Sequence, residues 1–206
     1  MSNLRLLFRI FVLSLAGMIL VYLGVGQVLA SEWQVTTTRT LTASVAQVAG
    51  WIGDFATWAK WHAADVDLGA PTKVAVLGPA GQVGHRLQWT GPKGIAGLTL
   101  TAVGDGRYVY EYGFESSGAQ PKVTTRGRSR IELQADGAGC RVVWFDGGQW
   151  DNLMLRWVGW FGAVQDHCRK IQGASLEALQ QELTMAAATE GATGPGGSGP
   201  PAETPK

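Results

Sequence analysis

A histidine that alternates with apolar residues is the side chain best suited to chemistry in this sequence. His85 is in phase with Val83, Leu87 and Trp89, a spacing that places all four on one face of a β-strand. A histidine in an apolar cavity can act as a general base, or bond to a ligand carbonyl or hydroxyl group. The alternative is a histidine whose ring nitrogens are paired within the core or at its rim.

Asp146 and Tyr110 are the polar residues predicted to act with this histidine. Asp146 is in phase with Trp144 on a later strand, and Tyr110 belongs to a run with a tyrosine at every second position. Acid–base chemistry would require these groups to lie within about 3 Å of a bound substrate. The alternative is that the same residues pack in the core, and both interpretations stay open.

Motifs for metal, nucleotide or covalent chemistry are absent from the sequence. There is no nucleophile elbow, zinc-protease motif, Cys-x-x-Cys or P-loop. Gly78, Gly81 and Gly84 fall in a turn and an early strand, so they form no dinucleotide fingerprint. The remaining histidines are scattered: we expect His62 in a surface loop at the pocket entrance and His167 on a solvated flank. The sequence therefore predicts no cofactor and no metal site.

A long amphipathic helix from Met154 to Leu183 is the element that would close a pocket over these residues. Its apolar positions recur at steps of three, four and eight residues, with Ser175 in the skipped turn. This spacing puts them along one side of a helix. The apolar positions are Trp157, Phe161, Val164, Cys168, Ile171 and Leu179.

The segment before this helix is typical of a curved antiparallel sheet. Ser44 is a predicted N-cap for the first of two short helices, which carry Ile52 and Trp58 inward. Short glycine-bearing turns, such as Asp105-Gly106, link the later strands and imply antiparallel pairing. We predict an α+β domain of about seven strands with these bounds: Trp33–Leu41, Lys73–Leu77, Val83–Thr90, Ile95–Val103, Arg107–Glu115, Val123–Leu133 and Cys140–Trp150.

An uncharged apolar run from Ile10 to Ser31 precedes the domain, and Arg5 and Arg9 precede the run. As a helix it would extend about 33 Å, enough to cross a bilayer core. We expect a transmembrane anchor, with a cleaved signal segment after Ala30 as the alternative. The arginines predict a cytoplasmic N terminus, residues 1–9, and a domain on the periplasmic or extracellular side of the cell (inner) membrane. The domain is expected at residues 32–184, followed by a disordered tail at 185–206 that is rich in glycine and proline.

The charge balance and the two cysteines set further bounds. The formal net charge is +1, which predicts no nucleic-acid partner. Arg126, Arg128 and Arg130 alternate along one strand, so they form either a solvated row partly neutralised by acidic residues or a contact with anionic lipid headgroups. Cys140 and Cys168 are either buried thiols or a disulfide in an exported domain.

The start of the domain resembles a known family. The run Thr40–Val48, then Trp51–Phe55 and Trp58–Trp61, is similar to the opening of the polyketide cyclase/dehydrase and lipid-transport family of the START-like superfamily. The stretch Leu155–Phe161, with Asp166 further on, is similar to the final helix of that family. The resemblance implies a helix-grip fold, in which the sheet wraps around the C-terminal helix, and membrane-anchored bacterial members share the apolar N-terminal segment.

This fold implies a pocket between the helix and the sheet. Such pockets are mostly apolar, with a few polar groups that orient the ligand. We expect the protein to bind a hydrophobic small molecule or lipid there, with the membrane as its other partner. The alternatives are a cyclase- or dehydratase-type enzyme that uses a polar pair in the same pocket, and a ligand-free interaction domain of the envelope. The candidate lining residues are Trp58, Trp61, His85, Leu87, Trp89, Tyr108, Tyr110, Tyr112, Trp144, Asp146, Trp157, Phe161 and Val164.

Overall fold

The computed structural model describes residues 2–62, 72–117, 124–150 and 153–192. Val123, predicted to begin a strand, and the predicted tail from residue 193 onward lie outside the described residues. The elements in chain order are α1 (Ser2–Val28), β1 (Glu32–Leu41), α2 (Val45–Gly53), α3 (Phe55–Trp61), β2 (Lys73–Leu77), β3 (Arg86–Gly91), β4 (Gly94–Gly104), β5 (Arg107–Ser116), β6 (Thr124–Asp136), β7 (Gly139–Gln149), α4 (Leu153–Trp160) and α5 (Ala163–Ala192).

The seven strands form one antiparallel sheet in the order β1-β7-β6-β5-β4-β3-β2. The β4–β5 hairpin turns at Asp105 and Gly106, which both have positive φ angles, and such turns match the right-handed twist of paired strands. β3 begins at Arg86, three residues later than predicted, and Val83 is exposed in the preceding turn. The predicted helix-grip α+β class is confirmed.

Local side-chain bonds fix the two short helices. The Ser44 hydroxyl and the Gln47 amide form a capping box at the start of α2, as the sequence predicted for Ser44. The Asp54 carboxylate accepts from the Ala56 backbone N–H and caps α3. These two caps turn Ile52, Phe55 and Trp58 toward the sheet.

The core lies between the concave face of the sheet and helices α2, α3 and α5. Alternate residues of the strands face it, because successive side chains of a strand point to opposite faces. The largest fully buried side chains are Trp58, Trp61, Tyr110, Phe55, Leu41, Ile52, Leu100, Ile131, Leu176, Leu179 and His85. Helix α5 contributes Leu176, Leu179 and Leu183 to this core.

The C-terminal segment is two helices, and the prediction of one continuous helix from Met154 to Leu183 is wrong. The first helix ends at Trp160, and the break falls at Gly162. The φ of Gly162 is 75°, a backbone conformation that residues other than glycine rarely adopt. Because of this break, α4 and α5 present different faces to the domain. Helix α5 also continues to Ala192, so residues 185–192 are helical where a disordered tail was predicted.

Helix α1 contains an apolar stretch, Arg5–Val28, of 24 residues with a mean hydropathy of 2.4. None of its most apolar window is buried in the domain. The helix is long and apolar enough to cross a membrane, a criterion of length and composition that signal sequences also meet.

Candidate functional site

His85 is buried, and both of its ring nitrogens are bonded to the backbone. Its Nε2 accepts from the Phe55 N–H at 3.0 Å, and its Nδ1 lies 3.1 Å from the Leu77 carbonyl oxygen and 3.0 Å from that of Gly78. These partners fix the neutral tautomer with the proton on Nδ1. The histidine therefore joins α3 to the turn before β3, and neither nitrogen is available to a ligand. The paired core histidine, the alternative set out above, is what the structure contains.

Three aromatic side chains predicted to line a cavity instead satisfy the last turn of α2. Trp58 Nε1 and the Tyr110 hydroxyl both donate to the Ile52 carbonyl at 3.0 Å, and the Tyr108 hydroxyl donates to that of Ala49 at 3.4 Å. The last four carbonyls of a helix, here those of residues 50–53, have no partner within it, so the buried Ile52 carbonyl requires such donors. Tyr110 consequently holds α2 against the sheet and does not join Asp146 in a polar pair.

Asp146 is the centre of a different polar cluster, which joins β7, β6, β1 and α5. The Trp144 indole N–H donates to Asp146 Oδ1 at 3.1 Å and to Ser129 Oγ at 2.9 Å. The Gln172 amide donates to Asp146 Oδ2 at 2.8 Å, and the Thr37 hydroxyl donates to the Gln172 carbonyl. Burial raises the pKa of the Asp146 carboxyl, and hydrogen bonds from Ser129, Gln172 and Trp144 offset part of this rise.

Two further ionisable side chains face the same carboxylate. Burial raises the pKa of the Tyr112 hydroxyl, with additional contributions from Asp146 and Cys168. Burial and the charge of Asp146 raise the pKa of the Cys168 thiol to about 11. The Tyr112 ring lies directly across Gly127, where an added Cβ would fall 2.1 Å from the ring. Gly127 therefore makes room for Tyr112 beside the cluster.

Trp61 and His62 carry buried polar atoms next to this cluster. Within the described part of the chain, Trp61 Nε1 and His62 Nδ1 are both buried without a hydrogen-bond partner. The Trp144 ring centroid lies 6.1 Å from that of Trp61 and 5.7 Å from that of His62. Burial lowers the pKa of His62 to about 4, so the imidazole is neutral near pH 7. The expectation that His62 lies in a surface loop at the pocket entrance is wrong for its ring, which stacks on Trp58 with the ring centroids 4.8 Å apart.

We call these residues the Trp144 cluster, since Trp144 touches both of its halves. The aromatic half is Trp61 and His62, and the polar half is Thr37, Tyr112, Ser129, Asp146, Cys168 and Gln172. Sequence reasoning selected Trp61, Tyr112, Trp144 and Asp146. It missed Ser129, Gln172 and Thr37, because a small polar residue within a strand or helix gives no signal of burial. The nearest hint was the polar Ser175 inside the helical stripe, one turn from Gln172.

The other predicted lining residues divide between the core and the surface. Leu87 is buried in the core, and Trp89 is half-buried against it. Val164 is half-buried near the start of α5. Trp157 stacks on Tyr22 of α1, and Phe161 is 71% exposed. The predicted placement of Trp157 and Phe161 on a cavity wall is therefore wrong, because the break at Gly162 turns α4 away from the sheet.

Strands β1, β5, β6 and β7 carry an open groove of about 1010 Å³, lined by Arg126, Arg128, Phe145 and Gln149 and also by Tyr112 of the Trp144 cluster. Arg128 pairs with Glu111 at 3.5 Å, and Arg130 pairs with Glu132 at 3.0 Å. The predicted neutralisation of the arginine row is thus confirmed for these two positions. Because the groove is open to solvent and contains the Arg128–Glu111 ion pair, whereas small-molecule sites are enclosed and mostly apolar, we place the candidate site at the buried Trp144 cluster.

Both cysteines are free thiols, with Cys140 buried and Cys168 half-buried. Among the described residues no group of three His, Cys, Asp or Glu side chains is arranged to hold a metal ion. The cluster presents hydrogen-bond donors and acceptors, one carboxyl group, one thiol and aromatic faces.

Solved structures share this fold at low sequence identity. A Chromobacterium violaceum protein matches with a TM-score of 0.51 and 18% identity, over 73% of this chain and 96% of that one. A Rhizobium leguminosarum protein matches with a TM-score of 0.53 and 13% identity, over 75% and 95%. DynU16, a putative protein in the dynemicin biosynthetic locus, matches with a TM-score of 0.52 and 12% identity, over 74% of this chain and 48% of that one.

No curated protein matches this chain by sequence. The family model described as "Polyketide cyclase / dehydrase and lipid transport" matches residues 32–184. This range runs from the first residue of β1 into α5 and includes every residue of the Trp144 cluster. The chain therefore belongs to the polyketide cyclase/dehydrase and lipid-transport family.

Proposed function

We propose that this protein binds a hydrophobic small molecule or lipid at the Trp144 cluster, between the concave face of the sheet and α5. The aromatic rings of Trp61, His62 and Trp144 would contact the apolar body of the ligand. The polar half of the cluster would hold its polar end. Family membership supports a ligand-binding or cyclase/dehydrase-type role, and the buried polar and aromatic groups of the cluster are what favour this position for it.

The observation that carries this proposal is that two buried polar atoms of the cluster, Trp61 Nε1 and His62 Nδ1, have no hydrogen-bond partner among the residues that the structure describes. A buried donor or acceptor left without a partner costs about 1–3 kcal/mol. A ligand carbonyl or hydroxyl oxygen that accepts from the Trp61 N–H would remove part of this cost. Binding would thus be favoured by a group that the empty protein leaves unsatisfied.

We further propose that α1 tethers the domain to the cell membrane. Arg5 and Arg9 flank the start of its apolar stretch, and basic residues stay on the cytoplasmic side. The domain would then lie on the periplasmic or extracellular side, within reach of membrane lipids.

Native mass spectrometry of the full-length protein, extracted from its own host's membrane, tests the binding proposal. We expect an added mass that organic solvent removes, present in the wild type and reduced in Trp61→Phe. The matched control is His167→Ala, because His167 is exposed on α5, and it should retain the added mass. A wild-type chain with no added mass, which also takes up none from supplied lipids, would favour a ligand-free interaction domain.

The enzymatic alternative now rests on Asp146 and not on His85. Its carboxyl group has a raised pKa and lies beside Tyr112 and Cys168, a setting suited to general acid–base chemistry. A dehydratase would leave Asp146→Asn loaded with an unconverted ligand, one water heavier than the ligand of the wild type. Equal ligand masses in the two proteins would favour binding alone.

A further inference from the structure

We infer that α4 is an interfacial helix, whose exposed apolar face lies in the outer layer of the lipid bilayer beside the end of α1. The inference rests on the membrane tether proposed above. It adds a second membrane contact, made by the domain itself and separate from the Trp144 cluster.

Helix α4 and the turn that follows it expose apolar side chains that the domain does not cover. Met154 is 66% exposed, Val158 38%, Trp160 63% and Phe161 71%. Met154 and Val158 of α4 and Phe161 of the following turn are spaced at steps of four and three, so they extend one apolar stripe past the end of the helix. Adjacent large apolar side chains on a surface mark a contact with a protein or a membrane.

Contacts between α4 and α1 indicate that the partner of the exposed α4 face is the membrane. The Trp157 ring stacks on Tyr22, with centroids 5.6 Å apart and planes 8° apart, and its Nε1 donates to the Tyr22 carbonyl at 3.3 Å. One turn further along α1, a Cβ on Gly26 would fall 2.5 Å from the Leu153 side chain. The apolar face of α4 is therefore continuous with the exposed apolar surface of α1.

The height of these contacts along α1 places α4 at the level of the lipid headgroups. The apolar stretch ends at Val28. With a rise of about 1.5 Å per residue, Gly26 lies about 3 Å and Tyr22 about 9 Å before that end. Interfacial helices bury their apolar face about 5–10 Å into the boundary between headgroups and acyl chains. Helix α4 thus meets α1 at the depth expected of such a helix.

The composition of α4 also favours lipid over protein. Tryptophan is enriched at membrane–water interfaces, and α4 contains Trp157 and Trp160 but no acidic residue. Its one charged residue is Arg156, whose Nε is buried without a partner among the described residues. The positive charge of Arg156 would also favour the anionic headgroups of the interface.

On the other side, α4 is anchored to the domain by close backbone contacts. The Trp150 indole packs on Gly159, where an added Cβ would lie 2.5 Å from Trp150 Nε1. The Gln165 amide donates to the Gly159 carbonyl at 3.1 Å. The apolar stripe therefore faces away from the domain with a fixed orientation, and cannot fold back to bury itself in the core.

Spin-label accessibility in the full-length protein tests the inference. Single nitroxides are attached through Phe161→Cys or Val103→Cys on a Cys168→Ser background, in which Cys140 is buried. Vesicles of phosphatidylethanolamine and phosphatidylglycerol hold the protein. Val103 is the matched control, because it is an exposed apolar residue of β4 near the β4–β5 turn, at the opposite end of the sheet from Glu32.

We expect collisions with oxygen, which concentrates in lipid, to dominate at position 161, and collisions with a water-soluble nickel chelate to dominate at position 103. The same ratio at both positions would overturn the inference. Protection of position 161 from both reagents would also overturn it, and would indicate a second copy of the chain on this face. A third label, through Phe11→Cys in α1, separates the two proposals. If position 11 lies in lipid and position 161 in water, the tether stands and the interfacial helix fails; if position 11 lies in water, the tether itself fails.

Discussion

The indole N–H of Trp144 lies 3.1 Å from the carboxylate of Asp146, two residues further along the same strand face. The same N–H lies 2.9 Å from Ser129 Oγ on the neighbouring strand. Because Trp144 also packs against Trp61 and His62, this one side chain connects the charged and the aromatic parts of the candidate site. A substitution in the polar half of the cluster should therefore alter the packing of the aromatic half, and the reverse should also hold.

Replacing Asp146 with Asn is expected to increase stability at neutral pH. Burial raises the folded-state pKa of this carboxyl above its ordinary value of 3.8, so the folded protein holds the proton more tightly than the unfolded chain does. Its contribution to stability is fully present below pH 3.8 and is lost as the pH rises through the folded-state pKa. Asparagine removes that loss, and the Gln172 amide can reverse to match it. Urea unfolding in detergent across this pH range measures the difference, which should vanish at the acidic end; a difference that is constant with pH would contradict this account.

His62 is expected to produce the opposite dependence. Its folded-state pKa of about 4 lies below the ordinary value of 6.5, so the unfolded chain binds the proton first as the pH falls. Stability should therefore decrease between pH 6.5 and pH 4, by up to about 3 kcal/mol. His62→Phe keeps an aromatic ring beside Trp58 and should flatten this part of the profile. A His167→Phe control, at an exposed position, should leave the profile as in the wild type.

His85→Leu is expected to destabilise the fold by about 2–4 kcal/mol, because it leaves the Phe55 N–H and the Gly78 carbonyl without their buried partner. Thermal unfolding followed by near-ultraviolet circular dichroism measures the loss. His167→Leu is the matched control and should change stability by less than about 0.5 kcal/mol. If the His85→Leu protein had normal stability but carried no ligand, the structural role would be contradicted, and His85 would be a ligand-binding residue.

Gly127→Ala should displace the Tyr112 ring, since the new Cβ would lie 2.1 Å from it. We expect a loss of about 1–3 kcal/mol in the free energy of unfolding, together with weaker ligand retention. Gly104→Ala serves as control, because nothing lies within 4 Å of its Cβ position. Unfolding midpoints and native masses of the two variants test both effects; equal behaviour would show that Tyr112 does not depend on the space above Gly127.

Trp61→Phe separates ligand binding from folding. It removes a buried N–H that has no partner among the described residues, which offsets part of the cost of the cavity that the smaller ring leaves, so the stability of the ligand-free protein should change by less than about 1 kcal/mol. The ligand-loaded protein should instead lose affinity. Unfolding with and without the extracted ligand measures both; a variant that is less stable in the empty state and equally stabilised by the ligand would contradict the role given to Trp61.

The amino-acid sequence was sufficient to predict the local elements. Alternation predicted each of the seven strands to within a few residues, and Asp105-Gly106 and Ser44 predicted a turn and a helix start. These features depend on residues close together in the chain, whose steric and hydrogen-bonding preferences act within one element. The family's opening motif, Trp51 to Trp61, then indicated how the elements combine.

The pairing of side chains across elements was decided only by the tertiary structure. His85 and Asp146 are both in phase with buried neighbours. Backbone groups of distant segments hydrogen-bond to His85, whereas the side chain of Gln172 in α5 hydrogen-bonds to Asp146. Periodicity reports which face a residue occupies and not which group meets it there. Likewise, the stripe from Trp157 to Leu179 has one helical period, but the positive φ at Gly162 divides it. Because the helix direction changes there, α5 packs in the core and α4 packs against α1. This arrangement depends on the packing of whole elements.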